Sequence, residues 1–365
     1  MKILGISLDP SILDKESIPA QRIIKFGQNL DKYYLLVPTD KDQKSQLAAN
    51  IFVESLGSHN KFFLFFKIYK RISEIIKNEK FDLLTTQDAY FLSLILIFLS
   101  RKHGIKFEVQ IHGFEKYHGL RKLLANYSLR QADIIRTVSI KTKEYLVDNF
   151  SIPAKKIYVS PVFVDRQKIE NSKNEFSLRD LYQNDFIFLT VGRLVPVKNI
   201  VLQIRAIKKL NLDKVKLVIV GEGPDKANLQ ALVARENLNK SIIFVDGYIK
   251  NLADYYKSAD CLLITSNMEG YCMVVAEAVL ADLPVIMTDV GCANDLVENN
   301  INGFVIPINN LDVLVAKMKK VVEDQKLLTE FKTRHTAYKE KILSQQALSD
   351  IIIDNWQKVI YGHEK

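Results

Sequence analysis

The sequence predicts an α/β protein of two tandem doubly wound, Rossmann-like domains, and three observations carry that prediction. The chain has 365 residues, which at about 150 per domain points to two domains. Short apolar runs alternate with helical patterns through both halves, the signature of parallel sheets covered by helices on both faces. A polar stretch from Asp165 to Asn184 (DRQKIENSKNEFSLRDLYQN) interrupts the alternation and reads as an inter-domain linker. The expected division is a first domain over 1–165, a second over 166–345 and a closing helix over 346–365.

In the first half the expected strands are Lys2–Ser7, Tyr33–Val37, Leu83–Thr86, Lys106–Ile111, Ile134–Val138 and Ile157–Ser160. Helical segments such as Lys67–Lys77 and Lys141–Asn149 fall between them. After the linker come Phe186–Val191, Lys216–Val220, Ile242–Val245, Cys261–Ile264, Pro284–Met287 and Phe304–Ile306, again separated by helical patterns. Ligands of such sheets bind beyond the carboxyl ends of the strands, and two facing domains would make a central cleft there.

The composition, 48% hydrophobic and 25% charged, is that of a soluble globular chain and excludes fibrous or disordered classes. The longest apolar run, Tyr90–Leu99, is about half of what a membrane-spanning helix needs and reads as a buried helix. The opening MKILGISLDP is too short for a secretory apolar region. Cys261, Cys272 and Cys292 fit no metal or redox spacing and read as reduced core thiols, so a cytoplasmic location is expected. Residues 1–160 hold 25 Lys+Arg against 16 Asp+Glu, whereas 161–365 hold 26 of each. All of the chain's net +9 therefore sits in the first half, which suggests domains with different partners.

Four constellations carry chemistry. The strand FIFLTVG runs into RLVPVKN, placing Arg193 and Lys198 just past a strand end. A guanidinium fork and a point ammonium can neutralise phosphates there; the plain alternative is two solvated cations on a loop. IVGEGP brings Gly221 and Gly223 to a second strand-to-loop turn, but Lys226 stands where GxGxxG needs its third glycine, so a nicotinamide fingerprint fails. The strand IIFVDGYI ends in Asp246-Gly247-Tyr248, a weak signal alone. Glu269-Gly270-Tyr271 precedes a helix expected to begin near Cys272, whose first free amides and dipole favour an anion. Gly270 would let a ligand approach the backbone. Further along that helix Glu277 lies among Val274, Val275, Ala276, Ala278, Val279 and Leu280. An unpaired carboxylate there is expensive to bury. Either it lies on a wet face or a polar partner meets it, and a ribose diol could supply two hydrogen bonds.

The order VGRLVPVKN, VGEGP, a strand ending in Asp246-Gly247, Glu269-x(7)-Glu277, LPVIMTDVG and NGFVIP resembles the retaining family 4 glycosyltransferases of the two-Rossmann (GT-B) fold. The resemblance is specific over 186–310. It is fainter in the first half, at QIHG around His112, ADIIRTVS from Ala132 and SPVFVD ending at Asp165. NWQKVIY (Asn355–Tyr361) is similar to the family's closing helix, which commonly crosses back to the first domain.

The resemblance implies a nucleotide-diphosphate sugar as donor co-substrate, no cofactor and no metal. Asp40-Lys41-Asp42, the only Asp-x-Asp, is incidental. Arg193 and Lys198 would hold the diphosphate and stabilise the leaving nucleotide. Glu277 would bind the ribose, and Glu269 with the backbone of Gly270, Tyr271, Cys272 and Met273 would orient the sugar. Gly221, Gly247 and Tyr248 complete the implied donor set. His112 would face the sugar from the first domain; the alternative is a structural histidine. Three departures stand out. The loop after the first strand, DPSILDKESIPA, lacks the family's glycine pair. Val162-Phe163-Val164 precedes Asp165 where Asn-Gly is common. Cys272 occupies a position that is usually glycine.

Two first-half stretches mix cations with apolar residues. KFFLFFKIYKR (Lys61–Arg71) is rich in phenylalanine, and KYHGLRKLLANYSLR (Lys116–Arg130) places Leu120, Leu123, Leu124 and Tyr127 at helical spacing. Such faces suit an anionic membrane surface, or else pack on the core with a solvated basic back. No recognised module supports nucleic acid. The expectation is a retaining, metal-independent glycosyltransferase, cytoplasmic or peripheral on the inner membrane face, with a glycan or lipid-linked glycan as acceptor in polysaccharide assembly. The alternatives are a non-catalytic nucleotide-sugar binder and a nucleotide-sugar epimerase on the same scaffold.

Overall fold

The computed structural model describes residues 1–113, 119–173, 175–245, 249 and 251–362. The chain divides into two compact units, one of Met1–Val138, Thr142–Pro161 and Gln345–Lys365, the other of Ser139–Lys141 and Val162–Ser344.

The first unit holds an eight-stranded sheet: β1 (Lys2–Ile6), β2 (Lys32–Thr39), β3 (Gln43–Ala48), β4 (Ile51–Gly57), β5 (Leu83–Thr86), β6 (Lys106–Ile111), β7 (Ile134–Thr137) and β8 (Ile157–Val159). Their order is β3-β4-β2-β1-β5-β6-β7-β8. Every pairing is parallel except the β3–β4 hairpin. Sequence patterning missed that hairpin because β3 is an edge strand with Leu47 as its only buried residue. Its polar side chains and Lys44 keep the edge from recruiting another chain.

Helices cover both faces of this sheet. On one side α2 (Lys61–Asn78), α3 (Phe91–His103), α4 (Gly119–Gln131) and α5 (Ile140–Phe150) bury a core that includes Ile68, Ile72, Leu96, Leu99, Leu129 and Leu146. The α2 helix starts six residues before the expected Lys67, because the Asn60 side chain caps it by accepting from the amides of Phe62 and Phe63. On the other side α1 (Ile18–Gly27) and the closing helix α14 (Gln345–Tyr361) cover the sheet. Trp356 of α14 is fully buried and meets Phe26 edge-on, with ring centroids 5.5 Å apart. Its indole Nε1 donates to Glu108 Oε1 at 2.9 Å.

The second unit holds six strands: β9 (Phe186–Val191), β10 (Val215–Val220), β11 (Ile242–Val245), β12 (Cys261–Ile264), β13 (Val285–Thr288) and β14 (Gly303–Ile306). They run parallel in the order β11-β10-β9-β12-β13-β14. All six β9 residues and all four of β12 are buried, as continuous apolar strands covered on both faces must be. Around the sheet lie α6 (Arg166–Glu170), α7 (Leu178–Leu181), α8 (Ile200–Leu210), α9 (Lys226–Arg235), α10 (Leu252–Ser258), α11 (Met273–Leu280), α12 (Leu311–Glu323) and α13 (Gln325–Lys339).

The polar stretch read as a linker is folded surface of this unit. Asp165 caps α6 and Ser177 caps α7, which lets Ile169 and Leu178 turn inward. Asp254 on α10, itself buried, accepts from the Phe176 amide at 3.2 Å and from Asn251 Nδ2 at 2.9 Å. Polarity alone reads as solvent exposure; two short capped helices satisfy the same residues.

Trp356→Ala should cost about 3–5 kcal/mol, because it opens a large cavity under α14 and removes one donor from a fully buried carboxylate. Urea unfolding of the first-unit core, followed by tyrosine and tryptophan probes placed elsewhere in that core, measures this.

Candidate functional site

Strand order reverses between β9 and β12. The chain winds outward through β10 and β11 on one side and through β13 and β14 on the other. The loops leaving β9 and β12 diverge there, which leaves a crevice at the carboxyl edge of the sheet. The sequence-derived residues of the second unit gather around that point.

Two buried threonines and a glutamine fix the base of the crevice. Thr190 on β9 donates to Gln203 Oε1 at 2.5 Å, and Gln203 Nε2 donates to Thr265 Oγ1 at 2.9 Å. Thr265 in turn reaches the backbone carbonyls of Lys198 and Asn199, at 3.1 and 3.0 Å. The loop after β9 is thus pinned to the loop after β12 through side chains from β9, α8 and the end of β12. Lys198 ends a 3₁₀ turn, Pro196–Lys198, and Asn199 in left-handed conformation (φ 49°) opens α8.

Glycine at 221 and 223 answers to packing between neighbouring loops. A Cβ on Gly221 would lie 1.9 Å from the Gly192 carbonyl oxygen, and one on Gly223 would lie 2.2 Å from that of Leu194. The amides of Gly192 and Leu194 donate to Val220 and Glu222 carbonyls across this seam. The VGEGP loop therefore buttresses the Arg193 loop backbone to backbone.

Lys198 and Glu269 meet directly: Nζ lies 2.6 Å from Oε1, and Ser266 Oγ donates to the same oxygen at 2.6 Å. Both side chains are largely buried. Arg193 is exposed, and its side chain bonds to no described residue. The first turn of α11 begins beside this pair without a side-chain cap; the Val275 amide is spent on the Cys272 carbonyl, which leaves those of Met273 and Val274 available. Gly270 is half-buried, Tyr271 and Cys272 are buried, and Met273 opens the helix half-buried. Gly291, in left-handed conformation, packs so closely on Tyr271 that a Cβ would lie 2.6 Å from its carbonyl oxygen. The TDVG loop thereby supports the Glu269 loop from below.

Cys272 has φ 75° and ψ 70° at the N-cap of α11. The left-handed conformation is what makes glycine the natural occupant there; cysteine holds it with its thiol buried and at a strain cost of order 1 kcal/mol. All three cysteines are free and buried, and burial pushes their thiols up.

Glu277 is the fifth residue of α11, a little over one turn in. Its partner is Tyr256 on α10, whose hydroxyl donates to Oε2 at 2.6 Å. Sequence reasoning missed Tyr256, since only the fold brings α10 beside α11; so too with Ser266, Thr265 and Gln203. Burial raises the Glu277 carboxyl above its ordinary range, with the Tyr256 bond and the Lys168 charge pulling the other way.

In the first unit His112 follows β6, and its ring Nε2 makes a part-buried contact of 3.2 Å with Gln110 Oε1. Surrounding protein, and secondarily the charge of Arg136, push its pKa down, so the ring is neutral at pH 7. Gly247 and Tyr248 lie outside the described residues.

Comparison with known proteins identifies the class. The chain superposes on a glycosyltransferase from Rickettsia africae with a TM-score of 0.78 at 18% identity, over 99% of this chain and all of that one, which shows the GT-B fold. The family model of the glycosyl transferases group 1 matches residues 171–338, and that of glycosyltransferase family 4 matches 32–168. The chain belongs to the family 4 glycosyltransferases. A Campylobacter jejuni relative, the N-acetylgalactosamine-N,N'-diacetylbacillosaminyl-diphospho-undecaprenol 4-alpha-N-acetylgalactosaminyltransferase, is 30% identical over 64% of each chain. The match therefore spans a little under two thirds of that relative. The Escherichia coli UDP-Gal:alpha-D-GlcNAc-diphosphoundecaprenol alpha-1,3-galactosyltransferase is 27% identical over 70% of each.

The raised carboxyl of Glu277 has a stability consequence with a definite sign. The native chain holds this proton more tightly than the unfolded chain. The carboxyl therefore adds stability below the ordinary glutamate range, and that stability is lost as pH rises through the raised value. Glu277→Gln keeps an acceptor for Tyr256 and stays neutral. Its melting temperature relative to wild type should climb as pH rises from the ordinary glutamate range through the raised value; a difference independent of pH would show that burial does not disfavour this carboxylate.

Proposed function

We propose that this protein transfers a sugar, with retention and without metal, from a nucleoside diphosphate donor to a hydroxyl of a glycan or lipid-linked glycan. The observation that carries the reading is the convergence at the β9–β12 reversal. The Arg193 side chain bonds to no described residue, Lys198 and Glu269 stand paired, the α11 N-terminus has no side-chain cap, and among the described residues only one Glu277 oxygen is engaged. In this reading Glu277 accepts from the ribose hydroxyls, while Arg193, Lys198 and the α11 amides hold the diphosphate. Glu269, fixed by Lys198 and Ser266, orients the sugar. His112, neutral and able to share a hydrogen bond, is the first-unit group assigned to the sugar.

For the chemical step the acceptor oxygen bonds to the anomeric carbon on the face from which the phosphate departs. The anomeric carbon–oxygen bond breaks, and the acceptor proton passes to the leaving phosphate oxygen. The charge that develops on the nucleotide is met by Arg193 and Lys198. The names of both relatives contain diphospho-undecaprenol or diphosphoundecaprenol, and one names a UDP-sugar. That supports a UDP-sugar as the first donor to test and a lipid-linked acceptor.

A lipid-linked acceptor fits the surface of the first unit. The apolar stripe of α4 faces solvent: Leu120, Leu123 and Tyr127 are exposed, while Ala125, Ser128 and Leu129 pack inward. Phe62, Phe63 and Phe66 on α2 are 51–69% exposed. A helix after a parallel strand begins at the strand's carboxyl edge, so these side chains share one rim of the sheet. The α2, α3 and α4 segments contain ten Lys and Arg against the single acid Glu74, equal to the chain's whole net charge. Aromatic side chains among cations suit an anionic bilayer, with each basic group near the surface adding about 1 kcal/mol. No helix among the described residues is long and apolar enough to cross a membrane.

A thermal-shift series with UDP-, GDP- and ADP-sugars tests the donor site. At about 100 times its dissociation constant, the cognate class should stabilise wild type by roughly 2.7 kcal/mol and leave Glu277→Ala unmoved. Wild type shifted by none of them would sink the assignment. Lys198→Ala should lower kcat by about 10²–10³, measured as sugar release from the cognate donor. In sedimentation with vesicles of phosphatidylglycerol, the triple substitution Phe62→Ser, Phe63→Ser, Phe66→Ser should release the protein without lowering its melting temperature. Equal sedimentation of wild type and variant would remove these residues from the membrane contact.

A further inference from the structure

Across the α14-covered face of the first sheet runs a polar row that glycosyl transfer as proposed does not use. The register pairs Gln110 on β6 with Arg136 on β7, and Arg136 with Tyr158 on β8. Glu108, two residues before Gln110, therefore shares their face, one rung further from the carboxyl edge. Glu108 is fully buried and accepts four hydrogen bonds. Tyr158 and Trp356 donate to Oε1 at 2.6 and 2.9 Å, and Thr85 and Gln110 donate to Oε2 at 2.5 and 3.2 Å. A carboxylate only accepts, so Gln110 turns its amino group toward Glu108 and its carbonyl oxygen toward His112. His112 then carries its proton on Nε2 and presents Nδ1 as an acceptor.

Arg136 feels the charge of this network, which favours its protonated form, but the network gives its side chain no hydrogen bond. Glu108, the carboxylate that acts on it through space, has its acceptor positions filled by other donors. The Arg136 side chain makes no hydrogen bond or ion pair with any described residue, and its Nε is sealed from solvent without a partner. Nε is its only nitrogen among the buried unbonded atoms, so the remainder of the fork reaches solvent. A sealed Nε–H without an acceptor is costly, and the solvent-facing end of the fork can still take an anion with several oxygens. Its place on the sheet is one rung from His112, at the edge where ligands of parallel sheets bind. The loop after β1, DPSILDKESIPA, offers no glycine for a backbone phosphate nest there.

We infer that Arg136 is the anion-binding residue of the first unit and takes a phosphoryl group, with Gln110 and Glu108 as positioning residues that fix the neighbouring His112. Two sources share that chemistry: the diphosphate of the donor and the diphosphate of a lipid-linked acceptor. The choice between them rests on the proposed glycosyl transfer; the anion subsite does not.

Calorimetric titration of the full chain tests this. In an Arg193→Ala, Lys198→Ala background, which removes the two cations assigned to the crevice of the second unit, inorganic pyrophosphate should still bind. Adding Arg136→Gln should weaken that binding about 10- to 100-fold, as expected for lost charge-assisted bonds. Arg136→Lys, which keeps charge without the fork, should recover part of it. The unliganded melting temperature shows whether Arg136→Gln is folded; if it is not, Arg136→Lys alone is compared, with weakened binding expected. In otherwise wild-type protein, weaker UDP binding by Arg136→Gln assigns the donor diphosphate, and weaker farnesyl diphosphate binding with UDP unchanged assigns the acceptor. No pyrophosphate binding in the double-variant background, or affinity unchanged within twofold by Arg136 substitution, overturns the subsite. If pyrophosphate binds through Arg136 while no nucleotide sugar binds wild type, the subsite stands and the glycosyl-transfer reading falls.

Discussion

A parallel strand pair cannot be closed by a tight turn, and that constraint orders both units. Each strand must return through a helix, so the loops leaving the strands and the first turns of the helices collect at one edge of each sheet. In the second unit this edge gathers the Arg193 loop, the Lys198–Glu269 pair and the uncapped α11. In the first it gathers His112, Arg136 and the exposed apolar turns of α2 and α4. Within each unit the contributing loops are far apart in sequence. What brings Lys198 to Glu269, 71 positions away, is that β9 and β12 are neighbours on either side of the winding reversal.

Three carboxylates show how differently the fold treats a buried charge. Glu108 is saturated by four donors and helps lock α14 to the sheet, so its burial is compensated inside the unit. Glu269 has a cation and a hydroxyl on a single oxygen. Glu277 has one tyrosine, and its carboxyl is raised. A gradient from saturated to under-supplied runs from framework to crevice. The least compensated carboxylate is the one whose remaining capacity can be spent on a ligand.

Much of this was legible in the sequence, and the failures have definite physical causes. Strands such as FIFLTV and CLLI declare themselves because burial on both faces forces continuous apolar residues. The Arg193–Lys198 and Glu269–Glu277 motifs were legible because loop chemistry after a strand is local. The β3–β4 hairpin was not, since an edge strand with one inward residue carries no alternation. Nor was Tyr256, whose meaning comes only from α10 lying beside α11. The α4 stripe is the sharpest case. Periodicity locates an apolar face but not what it faces, and here Leu120 and Leu123 turn outward while Ala125 and Leu129 make the core contact. Ala125 and Ser128 let α4 approach α3 closely, with Ser128 Oγ 2.7 Å from Ser93 Oγ, so Leu120 and Leu123 are left for the surface.

Local costs concentrate where α11 begins. Cys272 is held in a left-handed conformation, Glu277 is short of donors, and the first amides of the helix have no side-chain cap. Such features persist only if the surroundings over-determine them. The surroundings do so here: Gly291 packs against the Tyr271 carbonyl, the Cys292 amide donates to it at 2.9 Å, and Val275, Ala276, Ala278 and Val279 are sealed into the core. A rigid floor thus supports a strained, under-bonded rim. Relaxing the rim would stabilise the unit and at the same time remove the free amides and carboxylate oxygen to which the donor site is assigned. The strain and the proposed binding capacity are the same atoms seen without and with a ligand.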